Sequence, residues 1–182
     1  GRSRNTHKPE TRIKAVNYCE QIDHVNKIIL TLETMTSAHT HGDPHSLCQQ
    51  ECKPRHSATA MPGAIELVCS VAEKFPIGLA TGSRRSDVEA AFSTLAGGKL
   101  NGLFQSIVTS DDVAKTKPDP ATYAKAAEGM GISPSACLAI DDSPNGVSSA
   151  KNAGMKVLVI TAIHNASSLK DANWYLHSLE EV

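Results

Sequence analysis

The sequence predicts an α/β protein: a parallel sheet with helices on both faces, preceded by a short or degenerate N-terminal segment. Three observations carry that expectation. From about Ala58 onward, short apolar runs alternate with helix-periodic stretches, the pattern of βαβ units. Hydrophobic residues make up 40 % of the chain but aromatics only 4 %, so the core must be built from Ala, Val, Ile and Leu. Polar residues suited to chemistry sit at the ends of the apolar runs, where open α/β sheets bind ligands.

The elements follow in order. Residues 1–12 (GRSRNTHKPETR) are polar and basic and read as a disordered tail. They contain no apolar h-region and so no secretory signal. Residues 13–58 are expected to hold a first strand and a short or degenerate segment ahead of the core. Within them, 13–18 (IKAVNY) has strand character. Residues 23–35 place Val25, Ile28, Ile29 and Leu32 at one-face helical spacing. Residues 37–56 are rich in His and Cys and poor in apolar residues, an irregular stretch. A Zn²⁺ site there is conceivable, since Zn²⁺ takes both ligand types, but the spacing of Cys48 and Cys52 matches no standard zinc motif.

Residues 59–182 are expected to form the core. Met61-Pro62-Gly63 is a turn before a helix at 64–74. A strand follows at 77–80, a helix at 86–95, a strand at 107–109 and a helix at 119–130. Then come a strand at 137–140, a helix at 145–153 ending at Gly154, a strand at 157–160 and a closing helix at 174–182.

Bulk properties narrow the function. A formal charge of −1 argues against a nucleic-acid binder driven by a basic field. No apolar run is long enough to cross a membrane. Five cysteines, an odd number, without a secretory leader point to reduced thiols and the cytoplasm.

Three local patterns can carry chemistry. Asp141 and Asp142 directly follow an apolar run. Paired carboxylates repel, and a Mg²⁺ ion, which prefers hard oxygen ligands, would neutralise them. A turn with an acidic helix cap explains the same residues without a metal. Thr81, Gly82, Ser83 and Arg84 lead from a strand into a helix. The Thr81 hydroxyl and Gly82 amide can donate to a phosphate, with the helix N-terminus favouring its charge and Ser83 and Arg84 reaching the rest of a substrate. An ordinary βα loop would have the same composition. Lys117, in Lys115-Thr116-Lys117-Pro118-Asp119-Pro120, is a point charge in a proline-stiffened turn. It suits stabilisation of a transferring phosphoryl group, or it is a solvated loop lysine.

In this order, the three patterns resemble the second, third and fourth motifs of the haloacid dehalogenase (HAD) superfamily: Thr81, then Lys117 in K-P-D-P, then Asp141-Asp142 in D-D-S-P-N-G. The A-M-P-G-A run at 60–64 and the 150–155 segment add to the likeness, which points to the β-phosphoglucomutase and sugar-phosphatase branch. The resemblance implies a Rossmann-like core and a Mg²⁺-dependent phosphatase or phosphomutase. Its substrate would be a small phosphorylated metabolite of the sugar-phosphate kind. In that family an aspartate after the first strand forms an aspartyl-phosphate, a second aspartate two residues on moves the proton, and the fourth-motif acid helps hold Mg²⁺.

The family's first motif, D-x-D, occurs nowhere in this chain. If 13–18 begins the first strand, Cys19 occupies the nucleophile position and Gln21 that of the acid/base. A thiolate suits Mg²⁺ poorly, and a carboxamide does not move protons. Two readings therefore stand: an active phosphatase, or a HAD-like binding module or fragment without turnover.

Overall fold

A computed structural model of the chain describes residues 27–30, 35, 59–100, 102–161 and 169–179. Six parallel strands form one sheet. They are β1 (Lys27–Leu30), β2 (Ile77–Ala80), β3 (Phe104–Val108), β4 (Cys137–Asp141), β5 (Lys156–Ile160) and β6 (Trp174–Leu176), in the order β3-β2-β1-β4-β5-β6. Among the described residues four α-helices accompany them: α1 (Ala64–Ala72), α2 (Arg85–Thr94), α3 (Ala121–Gly129) and α4 (Pro144–Asn152).

The strands show why small aliphatic residues suffice. Side chains alternate between faces, so Ile28 and Leu30 enter one apolar cluster and Ile29 the other. The first cluster packs Ile77, Leu79, Leu138 and Ile140 against Leu67 and Val68 of α1 and Val88 and Phe92 of α2. The second packs Ala139, Val157 and Val159 against Tyr123 and Ala126 of α3 and Val147 and Ala150 of α4. Both faces are covered, as a parallel sheet requires. Before α1, Gly63 takes φ 80°, a left-handed conformation in which a β-carbon would be strained.

Two expected elements are corrected. The segment at 23–35 was expected as a helix, yet Lys27–Leu30 is β1, the strand at the middle of the sheet. Ile28 pairs with Ile77 on one side and Leu138 on the other. Short apolar runs fit both periods, and burial on both faces decides for the strand. The central slot is thus filled by 27–30, while 13–18 lies outside the described residues, as do 1–12 and the His/Cys stretch. The closing helix expected at 174–182 begins instead as β6, which pairs with β5 through Trp174, Tyr175 and Leu176. Aromatic side chains favour an edge strand there.

Candidate functional site

All strands run the same way, so their carboxyl ends share one edge. Leu30 pairs with both Leu79 and Ile140. One step beyond, β2 reaches Ala80 and β4 reaches Asp141. Thr81 and the Asp141–Asp142 pair therefore stand on either side of the end of β1. Two inter-strand spacings of about 4.8 Å separate them by roughly 10 Å.

Asp141 is the most heavily bonded side chain of the site and is 1 % exposed. Its Oδ1 accepts from the amides of Asp142 and Ser143, both at 2.8 Å, and from Ser143 Oγ at 2.9 Å. Its Oδ2 accepts from Lys117 Nζ at 2.9 Å and Tyr123 Oη at 2.7 Å. Burial by itself would push this carboxyl up. The Lys117 charge and the hydrogen bonds from Lys117, Tyr123 and Ser143 outweigh burial and hold it below its ordinary value.

The turn after β4 is built around that carboxylate. Ser143 caps α4, its Oγ accepting from the Gly146 amide at 3.0 Å, and Pro144 opens the helix. Gly146 lies so close to Asp141 that a β-carbon at position 146 would overlap the carboxylate. The glycine of S-P-N-G is thus required by contact as well as by the turn.

A carboxylate has about four lone-pair sites. Five donors converge on Asp141. Asp142 adjoins it and is 6 % exposed. Among the described residues no group of three or more His, Cys, Asp or Glu side chains gathers as a metal site.

Lys117 lies beside Asp141 with its side chain 10 % exposed. Its ammonium also lies 4.7 Å from the centre of the Tyr123 ring, a cation–π distance. The proline-bounded turn thus delivers the charge expected from the sequence to the strand edge.

On the other side of β1, the Thr81 amide donates to Val108 O at 2.9 Å, and Thr81 Oγ1 accepts from the Ser83 amide at 3.0 Å. Gly82 is exposed, and nothing lies within 4 Å of where its β-carbon would be. Arg84 is exposed and caps α2, its amide 3.4 Å from Asp87 Oδ2. The structure places Thr81, Gly82, Ser83 and Arg84 on one loop, and Lys117, Asp141 and Asp142 together across β1 from it.

Sequence reasoning missed the groups that fix these two parts. Tyr123 lies on α3 and reaches Asp141 only through tertiary packing. Arg85, the first residue of α2, donates from Nη2 to Asp112 Oδ2 at 2.7 Å and to Ile107 O at 3.2 Å. Its amide donates to Asp111 Oδ2 at 2.9 Å. Ser110 donates to Ser83 O from its amide at 2.9 Å and from its hydroxyl at 3.1 Å. The Thr81–Arg84 loop is thereby tied to the turn after β3. The Thr109 hydroxyl, ahead of the Arg85 guanidinium, lowers the Asp112 carboxyl from its ordinary value. The only forward signal was the acidic pair Asp111-Asp112 after a strand.

The first motif stands differently from the expectation. Cys19 lies outside the described residues and precedes β1 in the chain, so it does not follow this strand as a nucleophile would. The sequence that directly follows β1 is Thr31-Leu32-Glu33.

Comparison with known proteins agrees with this architecture. A family model described as haloacid dehalogenase-like hydrolase matches residues 9–154. Validoxylamine A 7'-phosphate phosphatase of Streptomyces hygroscopicus subsp. limoneus is 35 % identical over 127 residues, 69 % of this chain and 58 % of the relative. Hexitol phosphatase A of Escherichia coli (strain K12) is 32 % identical over 133 residues, 72 % of this chain and 60 % of the relative. The chain thus spans about three fifths of the length of these relatives. The crystal structure of CbbY from Rhodobacter sphaeroides in complex with phosphate superposes with a TM-score of 0.70 at 18 % identity, covering 86 % of this chain and 96 % of that one. At that identity the likeness is one of fold.

Proposed function

The chain belongs to the haloacid dehalogenase-like hydrolase family, and from that premise we propose that its site handles a small phosphorylated metabolite, of the sugar-phosphate kind, in Mg²⁺-dependent phosphate-ester hydrolysis or transfer. The observation that carries this reading is the placement of Lys117 against Asp141, with Asp142 adjoining, across the end of β1 from the Thr81–Arg84 loop. Relatives named as phosphatases of phosphorylated small molecules support the substrate class.

The residues fit Mg²⁺ by their chemistry. Asp142 offers hard oxygen at a strand end, and its neighbour Asp141 is already balanced by Lys117. Asp142 would hold the ion, and Asp141 would fix the turn that presents it. Bound there, Mg²⁺ supplies charge neutralisation for phosphate oxygens. Thr81 and Gly82 would donate to the phosphate, Lys117 would add positive charge, and Ser83 and Arg84 would meet the rest of the substrate. The odd count of five cysteines suits reduced thiols and a cytoplasmic setting. Among the described residues no helix is long and apolar enough to cross a membrane.

One observation favours a second reading, phosphate and Mg²⁺ binding without turnover. The sequence after β1 carries Thr31 and Glu33 at the spacing of the family's two aspartates. A threonine hydroxyl lacks the carboxylate that would attack phosphorus and help hold the ion.

The test is Mg²⁺-dependent phosphate release from p-nitrophenyl phosphate and a panel of sugar phosphates, with Asp142→Asn beside the native chain. Turnover that needs Mg²⁺ and is lost in D142N supports the first reading. Phosphate binding without release supports the second. A folded chain that neither binds nor releases phosphate refutes both.

A further inference from the structure

We propose that Tyr123 is a positioning residue that frees Lys117 to turn from Asp141 toward a bound phosphate. The inference rests on the reading of this edge as a phosphate site. Its basis is a shared acceptor: the Lys117 ammonium at 2.9 Å and the Tyr123 hydroxyl at 2.7 Å donate to the same Asp141 oxygen.

In a buried site this sharing has a consequence. Asp141 is 1 % exposed, so water does not replace a donor that leaves. Lys117, as its sole partner on Oδ2, would be locked in place, because moving it would strand a buried carboxylate oxygen. The tyrosine hydroxyl remains when the ammonium shifts, and Oδ1 keeps its three donors throughout. Oδ2 is thus the only Asp141 oxygen whose bonding depends on Lys117.

The ring of Tyr123 contributes as well. The ammonium lies 4.7 Å from its centroid, so the face of the ring attracts the charge close to Asp141. Lysine suits such a shift, having a flexible stem and three rotatable donors. The Tyr123 side chain is fully buried among the residues between α3, α4 and the sheet, which holds the ring in place beside Asp141.

Tyr123→Phe removes the hydroxyl and keeps the ring. The experiment titrates inorganic phosphate into the native chain, Y123F, Lys117→Met and the double variant by calorimetry with Mg²⁺ present, alongside thermal unfolding. The expected result is a phosphate affinity lowered roughly ten-fold or more in Y123F, the size of one hydrogen bond to a charged group. K117M should then weaken binding less in the Y123F background than in the native one, since Lys117 is held back there. A merely structural tyrosine would lower the melting temperature without that coupling. Native-like affinity in folded Y123F, or effects of the two substitutions that simply add, overturns the proposal. If the native chain itself binds no phosphate, the site reading fails, and this inference with it.

Should Y123F not fold, the titration is repeated on protein carrying 3-fluorotyrosine, whose more acidic hydroxyl is the stronger donor. Tighter phosphate binding is expected, and unchanged binding overturns the proposal.

Discussion

Replacing Asp141 with Asn tests the electrostatics of the site by one atom. The carboxamide can offer its oxygen to the three donors now on Oδ1, the Asp142 amide, the Ser143 amide and Ser143 Oγ. Its NH₂ then faces Lys117 and Tyr123, both donors in the native geometry. Tyr123 can turn to accept, but the ammonium loses its counter-charge at a position only 10 % exposed. Breaking a buried pair from one side costs about 3–5 kcal/mol. The retained Oδ1-type bonds and the limited exposure of Lys117 place D141N near the lower end, at about 3 kcal/mol. In a chain of this size each kcal/mol lowers Tm by about 2–4 °C, so a drop of roughly 6–12 °C is expected. Urea unfolding of the native chain, D141N, K117M and the double variant checks the origin of the loss. The double variant should recover part of it, because the stranded charge is gone. A loss below about 1 kcal/mol, or no recovery in the double variant, would refute the argument that this pair is buried and coupled.

Gly146→Ala should cost about 1–3 kcal/mol in urea unfolding, because its methyl meets the Asp141 carboxylate and the first turn of α4 must shift. Gly82→Ala, with open space at its β-carbon, should stay within about 0.5 kcal/mol of the native chain while weakening phosphate binding; a large stability loss would count against the open loop. Asp141 is held below its ordinary carboxyl value, so its contribution is fully present above the unfolded value of about 3.9 and is lost as pH falls through the lower folded one. In metal-free buffer the native chain should therefore lose more stability than D141N between neutral pH and about pH 3, and parallel curves would contradict the shift. Under the second functional reading, Thr31→Asp combined with Glu33→Asp should bring Mg²⁺-dependent phosphate release that the native chain lacks, read by a colorimetric phosphate assay; continued silence in a folded variant that binds phosphate would count against the missing carboxylates as the cause.

The parts of the fold legible in the sequence were those whose signals are local. The strand at 77–80 and the strand expected at 137–140 are short apolar runs punctuated by turn residues; the first stands where the pattern puts it, and the second runs one residue further, to Asp141. Lys117 and Asp141 meet at the strand edge, one carried by the proline-bounded turn and the other by the apolar run before it. β1 was not, because K-I-I-L fits one face of a helix as well as a strand buried on both sides. Only its partners, β2 and β4, remove the ambiguity. Placing the first strand too early also placed the nucleophile search at Cys19. Tyr123 and Arg85 act across sequence distance: one looks like a core aromatic on α3, the other like an ordinary charge in a helix's first turn.

The position of β1 bears on how the chain assembles during synthesis. Ile28 is made well before either of its partners, Ile77 and Leu138. Until the ribosome has released the segment through Asp141, the nascent polypeptide carries an apolar strand with at least one bare edge. Pairings so far apart in sequence form late, and the waiting strand is a target for chaperones or for mispairing with other chains. Translation that pauses before Cys137 would prolong that exposure, so the yield of soluble protein should depend on the speed of elongation through the second half of the message.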